Sequence, residues 1–206
     1  MTTGSTSDRR TRREVTTDSM LDAAERLFSE RGFTAVSVRD IAQAAGVSHA
    51  LVHRYLGPKE EIYRAVLKRN EDVMGAVADG TDDLDEALSL MVREGLANHR
   101  PYLRLVAHSA LHGLPYETTI GRFRATEWLV ELAERRAAGA PDAEPDALPP
   151  RLVVAAIVSL YLGWVSLEPW IVRAAGLQDF DEAALAEGVE RILLGIADSQ
   201  VPGGDG

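Results

Sequence analysis

The sequence predicts an all-α protein of about nine helices, with a small N-terminal domain and a larger C-terminal one. Three observations carry that expectation. Apolar residues recur at three- and four-residue steps along most of the chain, and nothing alternates with period two for long enough to form a strand. Glycine, proline and capping residues fall at the spacing of helix ends. The 206 residues, 46% of them apolar, are enough for one large domain or two smaller ones.

The chain opens with a Ser/Thr/Gly-rich tail carrying Arg9, Arg10, Arg12 and Arg13, expected to be a flexible basic arm over residues 1–14. It reads either as a source of phosphate and minor-groove contacts or as a solvated charge run. A domain over residues 15–62 follows. Within it, residues 37–59, SVRDIAQAAGVSHALVHRYLGPK, read as two short helices joined by a turn containing one glycine. That is the pattern of a helix-turn-helix, whose second helix lies in the DNA major groove. Ser37 caps the first helix, and Val38, Ile41, Ala42 and Ala45 form its buried face. Gly46 stands where the chain leaves that helix through the left-handed conformation. Ser48 caps the second helix. Along it, Leu51 or Val52 together with Tyr55 or Leu56 turn inward, leaving His49, Ala50, His53 and Arg54 outward. Gly57-Pro58 closes it, and Pro58-Lys59-Glu60-Glu61 opens the next helix, with acids in its first turn.

The second domain is expected over residues 63–198, followed by a flexible tail at 199–206. Val66 to Ala78 extends the helix opened at Pro58. The next runs from Asp82 or Asp83 to about Asn98, with Leu84, Leu88, Met91, Val92 and Leu96 on one side. Another spans Arg100 to near Gly113, and another Tyr116 to Ala138. Gly139 to Pro149 is a Pro/Asp/Ala loop, and the last two helices cover Arg151 to Ala175 and Asp181 to about Asp198. Pro169 is expected to kink or break the first of these. Leu152 to Leu167 is a sixteen-residue uncharged run. A membrane span needs ~20, so a buried helix in a soluble cytoplasmic protein is expected. That run is apolar nearly all round, and Gly163, Gly188 and Gly195 permit close helix approach. Two such helices paired with their copies make a four-helix bundle across a two-fold axis; an intramolecular core accounts for part of the same pattern.

Charge is unevenly distributed. Residues 1–69 hold 12 Lys+Arg against 9 Asp+Glu, whereas the whole chain carries a net charge of −10. A basic front end therefore precedes an acidic body. The absence of cysteine excludes disulfides and thiolate chemistry, and the polar, arginine-bearing N-terminus is not expected to act as a signal peptide.

The motif residues resemble the DNA-binding domain of the TetR family of bacterial transcriptional regulators. The likeness runs over Ala23-Ala24-Glu25-Arg26-Leu27-Phe28, Arg31-Gly32-Phe33, Val38-Arg39-Asp40-Ile41-Ala42, Ala45-Gly46-Val47-Ser48 and Lys59-Glu60-Glu61-Ile62. Three positions depart from the family pattern: Ala50 where glycine or proline is usual, His53 for tyrosine and Leu56 for phenylalanine. The resemblance implies a three-helix DNA-reading domain joined to a helical effector-binding and dimerisation domain. It aligns Arg39, His49, Ala50, Leu51 and Arg54 with base-facing positions, and His53, Tyr55 and Lys59 with phosphate-facing ones. Ser37 and Ser48 stand at the helix starts, where Ser37 donates to a phosphate. It implies a homodimer joined through its last two helices on palindromic double-stranded DNA, released when a small molecule enters the C-terminal domain and swings the connecting helix.

For an effector pocket, the larger side chains on the C-terminal helices are the candidates: Met91, Tyr102, Leu105, His108, Phe123, Trp128 and Trp164. They suit an apolar or aromatic molecule, and each is also an ordinary core residue. His108 and His112 have the four-residue spacing of a metal pair but no evident third ligand, and His108-Ser109 lacks a nucleophile turn. No metal, cofactor or catalytic residue is expected. The sequence is read as a ligand-responsive repressor. The alternative is a helical small-molecule-binding protein or enzyme without specific DNA binding.

Overall fold

The computed structural model describes the backbone apart from residues 1–4, 79, 112–122, 140–146 and 204–206, and side chains over residues 14–73, 80–111, 123–139 and 147–203. Nine helices occur among the described residues, and no strand: α1 (Ser5–Ala35), α2 (Val38–Ala44), α3 (His49–Leu56), α4 (Lys59–Ala78), α5 (Leu84–Asn98), α6 (Arg100–Leu111), α7 (Arg124–Ala138), α8 (Pro150–Ala174) and α9 (Glu182–Gln200). The chain divides into two units, Met1–Asn70 with His108–Gly121, and Glu71–Ala107 with Arg122–Gly206. The first unit thus extends to Asn70 rather than ending at residue 62, and takes in the end of α6.

In the first unit, α1 is helical from Ser5 and interrupted at Gly32. The arm expected to be flexible over residues 1–14 is therefore helical from Ser5 onward. Its stretch Asp8–Glu14 holds no glycine or proline and continues the helix that follows. The core comes from one face of each helix: Met20, Ala24, Leu27 and Phe28 of α1, Ile41 and Ala42 of α2, Val52 of α3, and Ile62, Val66 and Leu67 of α4. The rings of Phe28, Phe33 and Tyr63 form a triad with centroids 4.9–6.0 Å apart. Arg69 of α4 reaches back to α1, pairing with Asp22 at 2.7 Å and Glu25 at 2.6 Å.

Local chemistry fixes the turn. Ser37 accepts from the Asp40 N–H, and the Asp40 carboxylate accepts from both the Ser37 N–H and its hydroxyl, closing a capping box. Those bonds hold the Asp40 carboxyl below the usual carboxylate range. At the other end, Gly46 adopts φ +67°, and the N–H groups of Gly46 and Val47 return to the carbonyls of Gln43 and Ala42. This is the two-bond helix terminator that a left-handed residue makes possible.

In the second unit α5 starts at its cap Asp83 and packs on α7 and α9, while α8 packs on α7 and α9. Leu84, Leu88, Met91, Val92 and Leu96 are buried together, as their spacing predicts. α8 buries Val153, Val154, Ile157, Tyr161 and Val165. By length and composition it is the one described helix able to cross a membrane. Two expectations fail here. α8 is not broken at Pro169 but runs through it to Ala174. Proline cannot donate to the carbonyl four residues back, that of Val165, and Arg104 Nε donates to it instead at 3.3 Å. The helix expected from Tyr116 starts at Arg124, because Phe123 has non-helical dihedrals (φ −95°, ψ 82°); residues 116–122 lie outside the described residues.

Two predictions follow from this packing. Phe28→Ala removes the fully buried member of the ring triad and should cost about 3–5 kcal/mol in urea unfolding. Ser37→Ala should lower thermal stability at neutral pH. Because the Asp40 carboxyl is depressed in the folded state, its contribution exists above the ordinary carboxylate pKa and disappears as pH falls through the folded value. The melting gap between wild type and Ser37→Ala should therefore narrow below about pH 4.

Candidate functional site

The outward surface of α2 and α3 is the strongest candidate. Val52 anchors α3 in the core, with Leu51, Tyr55 and Leu56 half-buried around it. That orientation turns the opposite face to solvent: His49, Ala50, His53 and Arg54 are exposed, as is Arg39 on α2. Arg39 and Arg54 make no ion pair among the described residues, so two guanidinium forks are available to guanine O6 and N7 or to phosphate. The rings of His49 and His53 stand 6.4 Å apart one turn along the same face. Ser48 is exposed and spends its hydroxyl oxygen on the Leu51 N–H at 3.3 Å.

Two residues assigned to phosphate have other partners. The Ser37 hydroxyl donates to Asp40 Oδ2 at 2.6 Å, so its proton is committed while the capping box is closed. Lys59 donates through Nζ to the Phe33 carbonyl at 2.9 Å and lies 4.2 Å from the centre of the Phe33 ring. Sequence spacing showed a lysine after a recognition helix; it did not show that Gly32 bends the end of α1 and leaves a carbonyl within the lysine's reach.

A separate cavity of about 290 Å³ has all its described lining residues in the second unit. Of the seven residues expected around an effector, Met91, Tyr102 and Phe123 line it. The other four do not. Leu105 is fully buried core, His108 belongs to the first unit, and Trp128 and Trp164 are half-buried away from the cavity. His112 lies outside the described residues. Sequence reasoning missed Glu71, Tyr161 and Val106. Tyr161 was findable, as a hydroxyl within the apolar run of α8 on the Val153/Ile157/Val165 face. Glu71 carried no such signal among the many charges of α4.

Glu71 organises the cavity's polar wall. Its Oε2 accepts from the Tyr102 hydroxyl at 2.7 Å, and its Oε1 from the backbone N–H of Arg124 at 2.5 Å. A side chain on α4 thus supplies the cap that Phe123 does not provide for α7. Burial and the adjacent Glu71 carboxylate hold the Tyr102 phenol protonated far above its ordinary range. Tyr161 donates to the Met91 carbonyl at 3.1 Å. A Cβ at Gly95 would lie 1.9 Å from the Tyr161 oxygen, so only glycine lets that hydroxyl approach α5.

The partner of Lys59 generates a prediction. Lys59→Met keeps the stem over Phe33 but removes the charge and the donor. It should destabilise the free protein by about 1 kcal/mol in chemical denaturation. An unchanged unfolding midpoint would show that the ammonium serves only an external partner.

Comparison with known proteins agrees with this geometry. The family model for bacterial regulatory proteins of the tetR family matches residues 20–66. Over 200 residues the chain is 34% identical to the HTH-type transcriptional repressor Rv3405c of Mycobacterium tuberculosis, covering 94% of this chain and 98% of that protein. Two solved structures share the fold. The putative transcriptional regulator SCO4942 of Streptomyces coelicolor has a TM-score of 0.69 at 22% identity, over 91% of this chain and 98% of that one. The fatty acid degradation regulator FadR of Bacillus halodurans has a TM-score of 0.62 at 22% identity, over 86% and 94%. A family match over the helix-turn-helix and a relative alike along nearly its full length show that the chain belongs to the TetR family of bacterial transcriptional regulators.

Proposed function

We propose that this regulator is a cytoplasmic homodimeric repressor that leaves a palindromic operator when a small molecule occupies the cavity of the second unit. The observation that carries this reading is the composition of α4. One continuous helix holds Lys59 and Tyr63, which pack at the base of the helix-turn-helix, and Glu71, which lines the cavity. A ligand that shifts Glu71 acts on the helix that supports the DNA reader. The mycobacterial relative's name supports repression as the direction of control.

A dimer through α8 and α9 is supported by what those helices leave uncovered. Leu152, Leu160, Leu167 and Trp170 are exposed on α8 and Ile192 on α9, at helical spacing. A Cβ placed on Gly163, Gly188 or Gly195 would meet nothing within 4 Å. These are surfaces at which a second copy approaches closely. One short recognition helix reads few base pairs, and two of them held by a two-fold axis read a palindrome.

Selection of the purified protein from a random duplex pool should recover a palindrome with half-sites about one helical turn, ~34–36 Å, apart or a small multiple of it. Arg54→Ala should then cost about 1–3 kcal/mol at one base pair and relax preference there. Leu160→Glu should give a folded monomer in sedimentation, with operator affinity lost. Enrichment of asymmetric single sites, or a dimer surviving Leu160→Glu, would refute the arrangement.

A further inference from the structure

We propose that the cavity of the second unit takes a small organic monocation with an apolar or aromatic body, held between the Glu71 carboxylate and the rings of Tyr102, Phe123 and Tyr161. This rests on reading the cavity as the effector site, and adds the charge class of the effector.

Glu71 carries a charge that no described cation balances. Glu71 is 8% exposed, and both of its oxygens accept from neutral donors, the Tyr102 hydroxyl and the Arg124 backbone N–H. It makes no ion pair among the described residues. A carboxylate offers about four lone-pair directions, so roughly half of its accepting capacity is unused. The N-terminus of α7 offsets part of the buried charge, but a helix end supplies only about half an elementary charge. A buried carboxylate without a cation is costly, and a cationic guest removes that cost.

The remaining wall sharpens the choice. The Tyr161 hydroxyl is committed to the Met91 carbonyl and the Ser159 hydroxyl to the Ala155 carbonyl, so neither proton is free for a guest. No Lys, Arg or His is among the described lining residues. An anionic guest would meet one buried negative charge and no cation among the described lining residues to balance it. Three aromatic side chains line the cavity instead, and aromatic rings attract cations. The volume, about 290 Å³, sits at the small end of the ~300–1,000 Å³ typical of ligand pockets, which favours a compact amine or quaternary ammonium over a large dye.

The test uses three probes that share a benzyl group and differ in charge, titrated calorimetrically into the 206-residue protein: benzyltrimethylammonium, its neutral isostere neopentylbenzene, and phenylacetate. The cation should bind about tenfold or more tightly than the neutral isostere, with phenylacetate weakest. Glu71→Gln, which keeps an acceptor for Arg124, should bring the cation-to-neutral ratio close to one. Equal or tighter binding of neopentylbenzene or phenylacetate to the wild type overturns the proposal whether or not the variant folds, as does silence from all three probes. Fluorescence anisotropy on the selected operator separates the two readings. A Glu71-dependent cation that leaves DNA affinity unchanged refutes the effector role and keeps the cation site. Release by the neutral or anionic probe keeps the effector role and refutes the cation site.

Discussion

The structure depends most on the register of α4. Its residues are divided among three tasks by helical spacing alone. Ile62, Val66 and Leu67 enter the core of the first unit. Lys59, Tyr63 and Arg69 hold α1 through a carbonyl, a ring triad and two carboxylates. Glu71, on the last described turns, engages Tyr102 and the first amide of α7. A helix rotates its side chains by about 100° per residue, so a change of one residue in the register of α4 would move every one of these groups off its partner.

Backbone groups left over at helix ends and at proline need partners beyond their own helix, and the second unit shows how that is met. Pro169 removes a donor from α8, and the Val165 carbonyl is satisfied by Arg104 of α6. Phe123 fails to cap α7, and Glu71 of α4 does so from outside. Arg100, near the start of α6, pairs with Glu168 of α8 and with Glu182 of α9 at 2.8 Å. The first two are local defects closed by a distant side chain and the third is an ion-pair cluster, and all three tie the helices together with more specificity than apolar packing alone.

Much of this was legible in the sequence. Ser37, Gly46 and Ser48 marked the helix ends because capping and left-handed turns depend on residues within one turn of each other. The outward face of α3 followed from the burial of Val52, and the buried face of α5 from a three- and four-residue rhythm. The roles of Ser37 and Lys59 were less legible. Both stand where the family resemblance assigns a phosphate contact, yet their donors point to Asp40 and Phe33 within the protein. The cavity was half legible. Met91, Tyr102 and Phe123 were findable as large side chains, whereas Trp128 and Trp164, no smaller, lie elsewhere.

The sequence by itself determined most of the helices, the caps of α2 and α3, the turn between them and the outward face of α3, because those follow from interactions within a few residues. Tertiary structure alone decided the continuity of α8 through Pro169, the late start of α7 and the surroundings of Glu71. Each of these rests on a hydrogen bond between groups 53 or more residues apart, or, for the Tyr102 contact, 31. Helical periodicity states which way a side chain points around its own axis. It does not state which other helix will stand there.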